Sequence, residues 1–200
     1  MGCNLSALKK MKSAASEEES NKKVLFLGLD NAGKSTLLFQ MKDNSFKDTV
    51  PTVGLNVESI KYRGMNFTLW DVSGQATRLW KHYFDKINAI IFVVDSSDRE
   101  RIQRAADELH KVIEDQELAH APVLIFANKQ DVEGAMTKDE VNEALRLPQV
   151  QESRKKDICF QACSAKNGEG IWEGIGQLGD TITEHEKNIL HTSTASNSHR

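Results

Sequence analysis

Between the apolar run Val24-Leu25-Phe26-Leu27 and the pair Leu37-Leu38 the chain reads GLDNAGKST, residues Gly28 to Thr36. Two glycines, a lysine and adjacent hydroxyls at this spacing can hold phosphate. Gly28 and Gly33 let the backbone turn its N–H groups inward, with Leu29, Asp30, Asn31 and Ala32 forming the loop between them. Lys34 can neutralise the β- and γ-phosphates of a nucleotide, and Ser35 offers a hydroxyl to Mg²⁺. Thr36 belongs to the start of a helix, whose partial positive charge favours an anion. A glycine-rich turn with an incidental lysine is the bland alternative. The strand pattern before the loop and the helix pattern after it are the context that a phosphate loop requires.

The loop alone does not distinguish ATP from GTP. Asn128-Lys129-Gln130-Asp131 follows the apolar run Pro122–Ala127, at the strand end where open α/β sheets bind ligands. The Asp131 carboxylate can accept the N1–H and 2-amino hydrogens of guanine, whereas adenine would leave it desolvated and unpaired. Lys129 can lie flat along the base. Cys163-Ser164-Ala165-Lys166 follows the last strand, where the N–H of Ala165 could reach the guanine O6. The expected ligand is therefore a guanine nucleotide, GTP or GDP, and a P-loop kinase or ATPase is disfavoured.

Two further stretches can sense the γ-phosphate. In Asp71-Val72-Ser73-Gly74-Gln75, Asp71 can hold a water on Mg²⁺, Gly74 can approach phosphate through its N–H, and Gln75 can orient the attacking water. In Pro51-Thr52-Val53-Gly54, Thr52 can complete the Mg²⁺ shell while the γ-phosphate is present. Two loops ordered by one phosphate group and released on its departure make a switch.

These groups must be positioned by a core, and the chain is long enough for one. Its 200 residues, 39% of them hydrophobic, suit a single domain. A net charge of −3 gives no bulk electrostatic case for nucleic acid. The longest apolar run, Ala89 to Val94, is far short of the roughly 20 residues that span a bilayer. Three cysteines without framework spacing fit a reducing compartment and suggest no zinc site. Strands are predicted at Lys23–Leu27, Leu55–Tyr62, Met65–Val72, Ala89–Asp95, Pro122–Ala127 and Ile158–Ala162, the second and third joined as a hairpin around Arg63-Gly64. Apolar spacing predicts helices through Ile102–Ile113 and from Ile171 to Ile182, and Thr137 with Glu140 predicts a capping box. The expectation is an α/β fold: a six-stranded, mostly parallel sheet with one antiparallel strand and helices on both faces. Residues 1–22 read as a flexible leader, 23–187 as the domain and 188–200 as a disordered tail.

GLDNAGKST, PTVG, WDVSGQ, NKQD and CSAK, in this order, resemble the five G-motifs of a small GTPase of the Arf/Arl (ADP-ribosylation factor and Arf-like) family. LWKHYF, VVDSSDRERI and LIFANKQD extend the resemblance over residues 2 to about 185. It implies the P-loop GTPase fold, GTP/GDP bound with Mg²⁺, slow hydrolysis, and a monomer that meets an exchange factor, a GTPase-activating protein and effectors. It also implies an effector surface on Leu55, Trp70 and Tyr83; the strand alternation independently makes Trp70 a candidate for exposure. Three departures stand out. Ser73 replaces the second glycine of most members and resembles the branch associated with cilia and the BBSome coat. Ala76-Thr77-Arg78 is about two residues shorter than the usual connection. Leu55 stands where a phenylalanine is common.

Met1-Gly2-Cys3-Asn4-Leu5-Ser6 matches the myristoylation pattern, with Gly2 the acceptor. One such chain binds membrane only marginally, so a second signal is expected: palmitate on Cys3, or Lys9, Lys10 and Lys12 against anionic lipid. An unmodified leader is the alternative. The resemblance implies a cytoplasmic protein that reaches membranes reversibly, with GTP freeing the leader through a register slide of the hairpin. A GTP-binding scaffold with little turnover remains the rival from another class.

Overall fold

The computed structural model describes residues 21–45, 49, 52, 54–75, 77–154 and 157–197. Gly2, Cys3, Lys9, Lys10 and Lys12 lie outside them. Six strands form one sheet: β1 (Asn21–Leu27), β2 (Leu55–Tyr62), β3 (Met65–Val72), β4 (Ala89–Asp95), β5 (Val123–Asn128) and β6 (Ile158–Ala162), in the order β2-β3-β1-β4-β5-β6. Only β2 and β3 pair antiparallel; the other neighbours run parallel. The helices are α1 (Lys34–Asp43), α2 (Ile102–Ile113), α3 (Lys138–Ala144), α4 (Leu147–Arg154) and α5 (Ile171–Asn197), with 3₁₀ turns at Thr77–Tyr83 and Gln116–Leu118.

Alternation divides the central strands between two faces. Leu25, Leu27, Ile90, Phe92, Val123 and Ile125 pack with α2, α3 and α4. Val24, Phe26, Ile91, Val93, Leu124 and Phe126 pack with α1 and α5. Burying one such side chain contributes about 1.5–3 kcal/mol, so these two layers dominate the stability. The capping box predicted at α3 is present: Glu140 N–H donates to Thr137 Oγ1, and Thr137 N–H donates to the Glu140 carboxylate.

The β2–β3 hairpin closes through Arg63 (φ 47°) and Gly64 (φ 82°), between the paired residues Tyr62 and Met65. Positive φ at both turn residues matches the right-handed twist of the strands. Beyond the turn, Tyr62 stacks on Trp172 of α5, with ring centroids 5.0 Å apart, and its hydroxyl donates to the Trp172 carbonyl at 3.2 Å.

Two boundaries differ from expectation. β1 begins at Asn21, whose side chain accepts a hydrogen bond from Thr68, so the strand reaches into the predicted leader. The tail predicted as disordered from residue 188 carries helix as far as Asn197. After Gly179 the sequence contains neither glycine nor proline up to that point. Once a helix is nucleated, serine, threonine and histidine weaken its propagation only modestly.

Every parallel strand ends on the same edge, so the loops after β1, β3, β4, β5 and β6 converge there. β1 lies at the centre, and its loop becomes the floor of a cleft.

Candidate nucleotide site

A cleft of ≈ 450 Å³ opens at this edge. Of the residues singled out in the sequence, Asp30, Asn31, Gly33, Lys34, Ser35, Thr36, Thr52, Gly74, Gln75, Asn128, Lys129, Asp131 and Ala165 line it. Gly28, Leu29, Ala32, Asp71 and Ser164 are buried and do not line it. Thr49, Ser73 and Lys166 also line the cleft. Lys166 is the last residue of CSAK, and Thr49 carries no motif.

Gly33 adopts a φ of 93° and caps α1 without any side-chain cap bond, so the first N–H groups of the helix remain open to an anion. A Cβ at Gly33 would lie 2.4 Å from Asn128 Nδ2. This glycine therefore serves both the turn and the approach of the neighbouring loop. Lys34 is buried, and its ammonium donates to the carbonyls of Gly28 (2.9 Å) and Leu29 (3.0 Å). Burial lowers its pKa below the ordinary amine value, against the opposing charges of Asp71 and Asp30.

Three oxygen-bearing side chains meet beside it. Ser35 Oγ donates to Asp71 Oδ2 at 2.5 Å and lies 2.8 Å from Thr52 Oγ1, which is itself 3.3 Å from Asp71 Oδ2. Burial pushes the Asp71 carboxyl above its usual range, against the Ser35 bond, the Lys34 charge and the Thr52 bond. Asp71 Oδ1 is buried and has no hydrogen-bond partner among the described residues. A buried carboxylate oxygen left unpaired is costly unless a further group meets it. Hard oxygen donors around such an atom fit Mg²⁺, which takes its other ligands from water and phosphate. Ser35 and Thr52 would ligate the ion, and Asp71 would orient its water.

The two loops around the phosphate end are joined. Ser73 N–H donates to the Gly54 carbonyl at 3.0 Å, and the Ser73 carbonyl accepts from the buried Trp80 indole at 3.1 Å. A Cβ on Gly74 would fall 2.3–2.6 Å from the backbone of Gly28, Leu29 and Asp30, so only glycine allows this loop to lie on the phosphate loop. Gln75 is exposed at the rim. The 3₁₀ turn Thr77–Tyr83 is anchored by the buried Trp80.

At the opposite end, Asn128 is 1% exposed. Its Nδ2 donates to the Ala32 carbonyl at 2.9 Å, and its Oδ1 accepts from Ala165 N–H at 2.9 Å. One side chain thus ties together the loops after β1, β5 and β6. The Ala165 N–H, expected to reach a guanine O6, donates here to Asn128 Oδ1. Ser164 Oγ donates to Asp131 Oδ1 at 2.6 Å, and the Lys166 ammonium lies 3.9 Å from Oδ2. Lys129 Nζ donates to Asp95 Oδ2 at 2.6 Å, so its methylene stem can form a flat wall.

Leu55, Trp70 and Tyr83 are half-buried and pack against the α2 side of the core rather than standing free. The Trp70 and Tyr83 rings lie 6.4 Å apart, and Lys23 Nζ sits 4.0 Å above the Trp70 ring. Trp70 Nε1 is buried without a partner among the described residues. Val57, directly opposite Trp70 on β2, is 43% exposed and was not anticipated.

The sequence model of the ADP-ribosylation factor family matches residues 5–182. Among solved structures, the chain is similar to the Arl6 BBS3 small GTPase from Trypanosoma brucei, determined with the nucleotide analogue GppNp bound. The TM-score is 0.72 at 33% identity, over 82% of this chain and 99% of that one.

Proposed function

Because the chain belongs to the ADP-ribosylation factor family of small GTPases, we propose that it is a switch that recruits effector proteins to a membrane while GTP is bound and releases them on hydrolysis. The observation that carries this reading is Thr52 lodged against Ser35 and Asp71 while Ser73 holds Gly54. Both loops are then tied to the residues that would surround the terminal phosphate, and loss of that phosphate would release them together.

In this mechanism Lys34 and the open N–H groups of α1 hold the phosphates. Gln75 orients the attacking water, and Gly74 directs its N–H to the γ-phosphate. With Mg²⁺ bound, the negative charge developing on the transferred group is offset. Arg78 borders a separate groove beside α2 and does not line the nucleotide cleft. Hydrolysis should therefore be slow until an activating protein supplies an arginine. Leu55, Val57, Trp70 and Tyr83 form the surface read by effectors, and a partner offering an acceptor to Trp70 Nε1 would relieve its unmet bond.

The membrane partner rests on Gly2 and Cys3. Myristate, reinforced by palmitate or by the nearby lysines, would give a cytoplasmic protein that binds membranes reversibly. Ser73 and the likeness to the Arl6 BBS3 protein make a ciliary membrane the favoured destination.

The second reading, a GTP-binding scaffold with little turnover, is favoured by the 3₁₀ turn immediately after Gln75. Single-turnover phosphate release with and without an activating protein separates the two. The guanine assignment is tested by Asp131→Asn, which should lower GTP affinity and raise xanthosine triphosphate affinity, because an amide can meet the carbonyl of xanthine. An unchanged preference for GTP would sink it. Sedimentation of lipidated protein with vesicles, loaded with GppNp or GDP, tests recruitment; equal binding of both forms would remove the switch.

A further inference from the structure

Asp30 is the sole acid in the loop from Gly28 to Thr36, and it lines the cleft at its phosphate end. A carboxylate there opposes any phosphate group that comes close. Asp30 meets one arginine. Arg101 Nη1 donates to Asp30 Oδ1 at 3.2 Å, and Nη2 donates to the Asp30 carbonyl at 3.4 Å. The same guanidinium is pinned from the other side, where Nε donates to Asp98 Oδ2 at 2.5 Å. The Arg101 N–H also donates to Asp98 Oδ1 at 3.0 Å, which fixes the start of α2. Both side chains of the Asp30–Arg101 pair are only about one-third exposed, at 35% and 33%.

The neighbouring cations are engaged elsewhere. Arg99 pairs with Glu140, and Lys129 pairs with Asp95. Lys34 turns its hydrogen bonds to Gly28 and Leu29. Burial alone would raise the Asp98 carboxyl, but its bonds to Arg101 hold it below the usual carboxylate range, in keeping with a tight clasp.

We propose that Arg101 is a positioning residue that draws the Asp30 carboxylate away from the terminal phosphate and thereby sets the preference for a nucleoside triphosphate over a diphosphate. This rests on the reading of the cleft as a guanine-nucleotide site. Asp98 aims the guanidinium, the guanidinium holds Asp30, and the space for the third phosphate stays free of competing negative charge. A pair serving stability alone would affect both nucleotides equally. A tether that clears the terminal phosphate affects mainly the one that has it.

The test measures dissociation constants of GppNp and GDP, with Mg²⁺, for the full chain and its variants. Arg101→Gln should weaken GppNp on the order of tenfold and GDP by less than about threefold. In an Asp30→Asn background, adding Arg101→Gln should move the GppNp:GDP ratio by less than about twofold. Equal loss for both nucleotides, or the same shift whether or not Asp30 is charged, overturns the proposal. Should Arg101→Gln fail to fold, Asp98→Asn reads the same ratio, and no shift there overturns it as well. Failure of the parent chain to bind either guanine nucleotide would instead overturn the site assignment, leaving the two outcomes distinguishable.

Discussion

The two ends of the cleft are built differently. At the base end, Asn128 satisfies both its polar atoms on Ala32 and Ala165, and Ser164 braces Asp131. These bonds join the ends of β1, β5 and β6, reaching across the intervening β4, and need no ligand to be complete. At the phosphate end, Ser35, Thr52 and Asp71 lean on one another, with Asp71 Oδ1 left unmet. Thr52 and Ser73 come from loops joined by the backbone bond from Ser73 N–H to the Gly54 carbonyl. Under the proposed function, specificity would be carried by the framework, and switching by groups that lean on one another around an unmet carboxylate oxygen.

Substitutions at the two ends should therefore fail in different ways. The largest effect is expected from Gln75→Leu, which should remove most of a roughly 10³–10⁵-fold stimulation of hydrolysis by an activating protein. GTP affinity and melting temperature should stay near those of the parent, as stopped-flow phosphate release and calorimetry would show. Next comes Asn128→Ala, which strands buried donors and acceptors on two other loops. A loss of about 2–4 kcal/mol is expected in urea unfolding of the nucleotide-free protein. An Asn128→Ala protein as stable as its parent would mean that the base end is not self-supporting. Ser35→Ala should be milder for the fold, costing less than about 1 kcal/mol. Its mark would be a roughly 10–100-fold fall in Mg²⁺-dependent nucleotide affinity. Equal destabilisation by Ser35→Ala and Asn128→Ala would erase the contrast between the ends.

The parts legible in the sequence are those whose physics is local. The predicted bounds of β2, β3, β4 and β6 match the structure because alternation or unbroken apolar runs mark them, and Arg63-Gly64 signals the turn directly. The phosphate loop is equally local, since its glycines and lysine act within nine residues. Long-range pairing was not legible. Asn128 reads as one member of a base-recognition motif, yet in the structure it fastens residues 96 and 37 positions away. Arg101 carries no motif for a bond to Asp30, 71 residues distant. The short helix Leu147–Arg154 also escaped, having almost no amphipathic contrast to announce it. Likewise, the 3₁₀ form of Thr77–Tyr83 follows from the anchoring of Trp80, which periodicity does not encode.

The last helix carries Gly174, Gly176 and Gly179 where it covers the sheet, and each weakens it by about 1 kcal/mol relative to alanine. Space dictates only the first: a Cβ at Gly174 would sit 2.6 and 2.8 Å from two carbons of the Phe126 ring. At Gly176 the nearest atom, the Tyr62 hydroxyl, is an ordinary 3.4 Å away, and at Gly179 the close atom is the flexible end of Met65. The N-terminal third of α5 is thus soft by composition and is held from outside by the hairpin residues Tyr62, Arg63 and Met65. Its backbone amides should then exchange with deuterium at a rate governed by how firmly the hairpin tip is seated. Gly176→Ala should slow that exchange and add about 0.5–1 kcal/mol of stability. If the hairpin slides when the nucleotide changes, exchange between residues 174 and 179 should follow it, giving a readout of nucleotide state at the far end of β3 from the cleft.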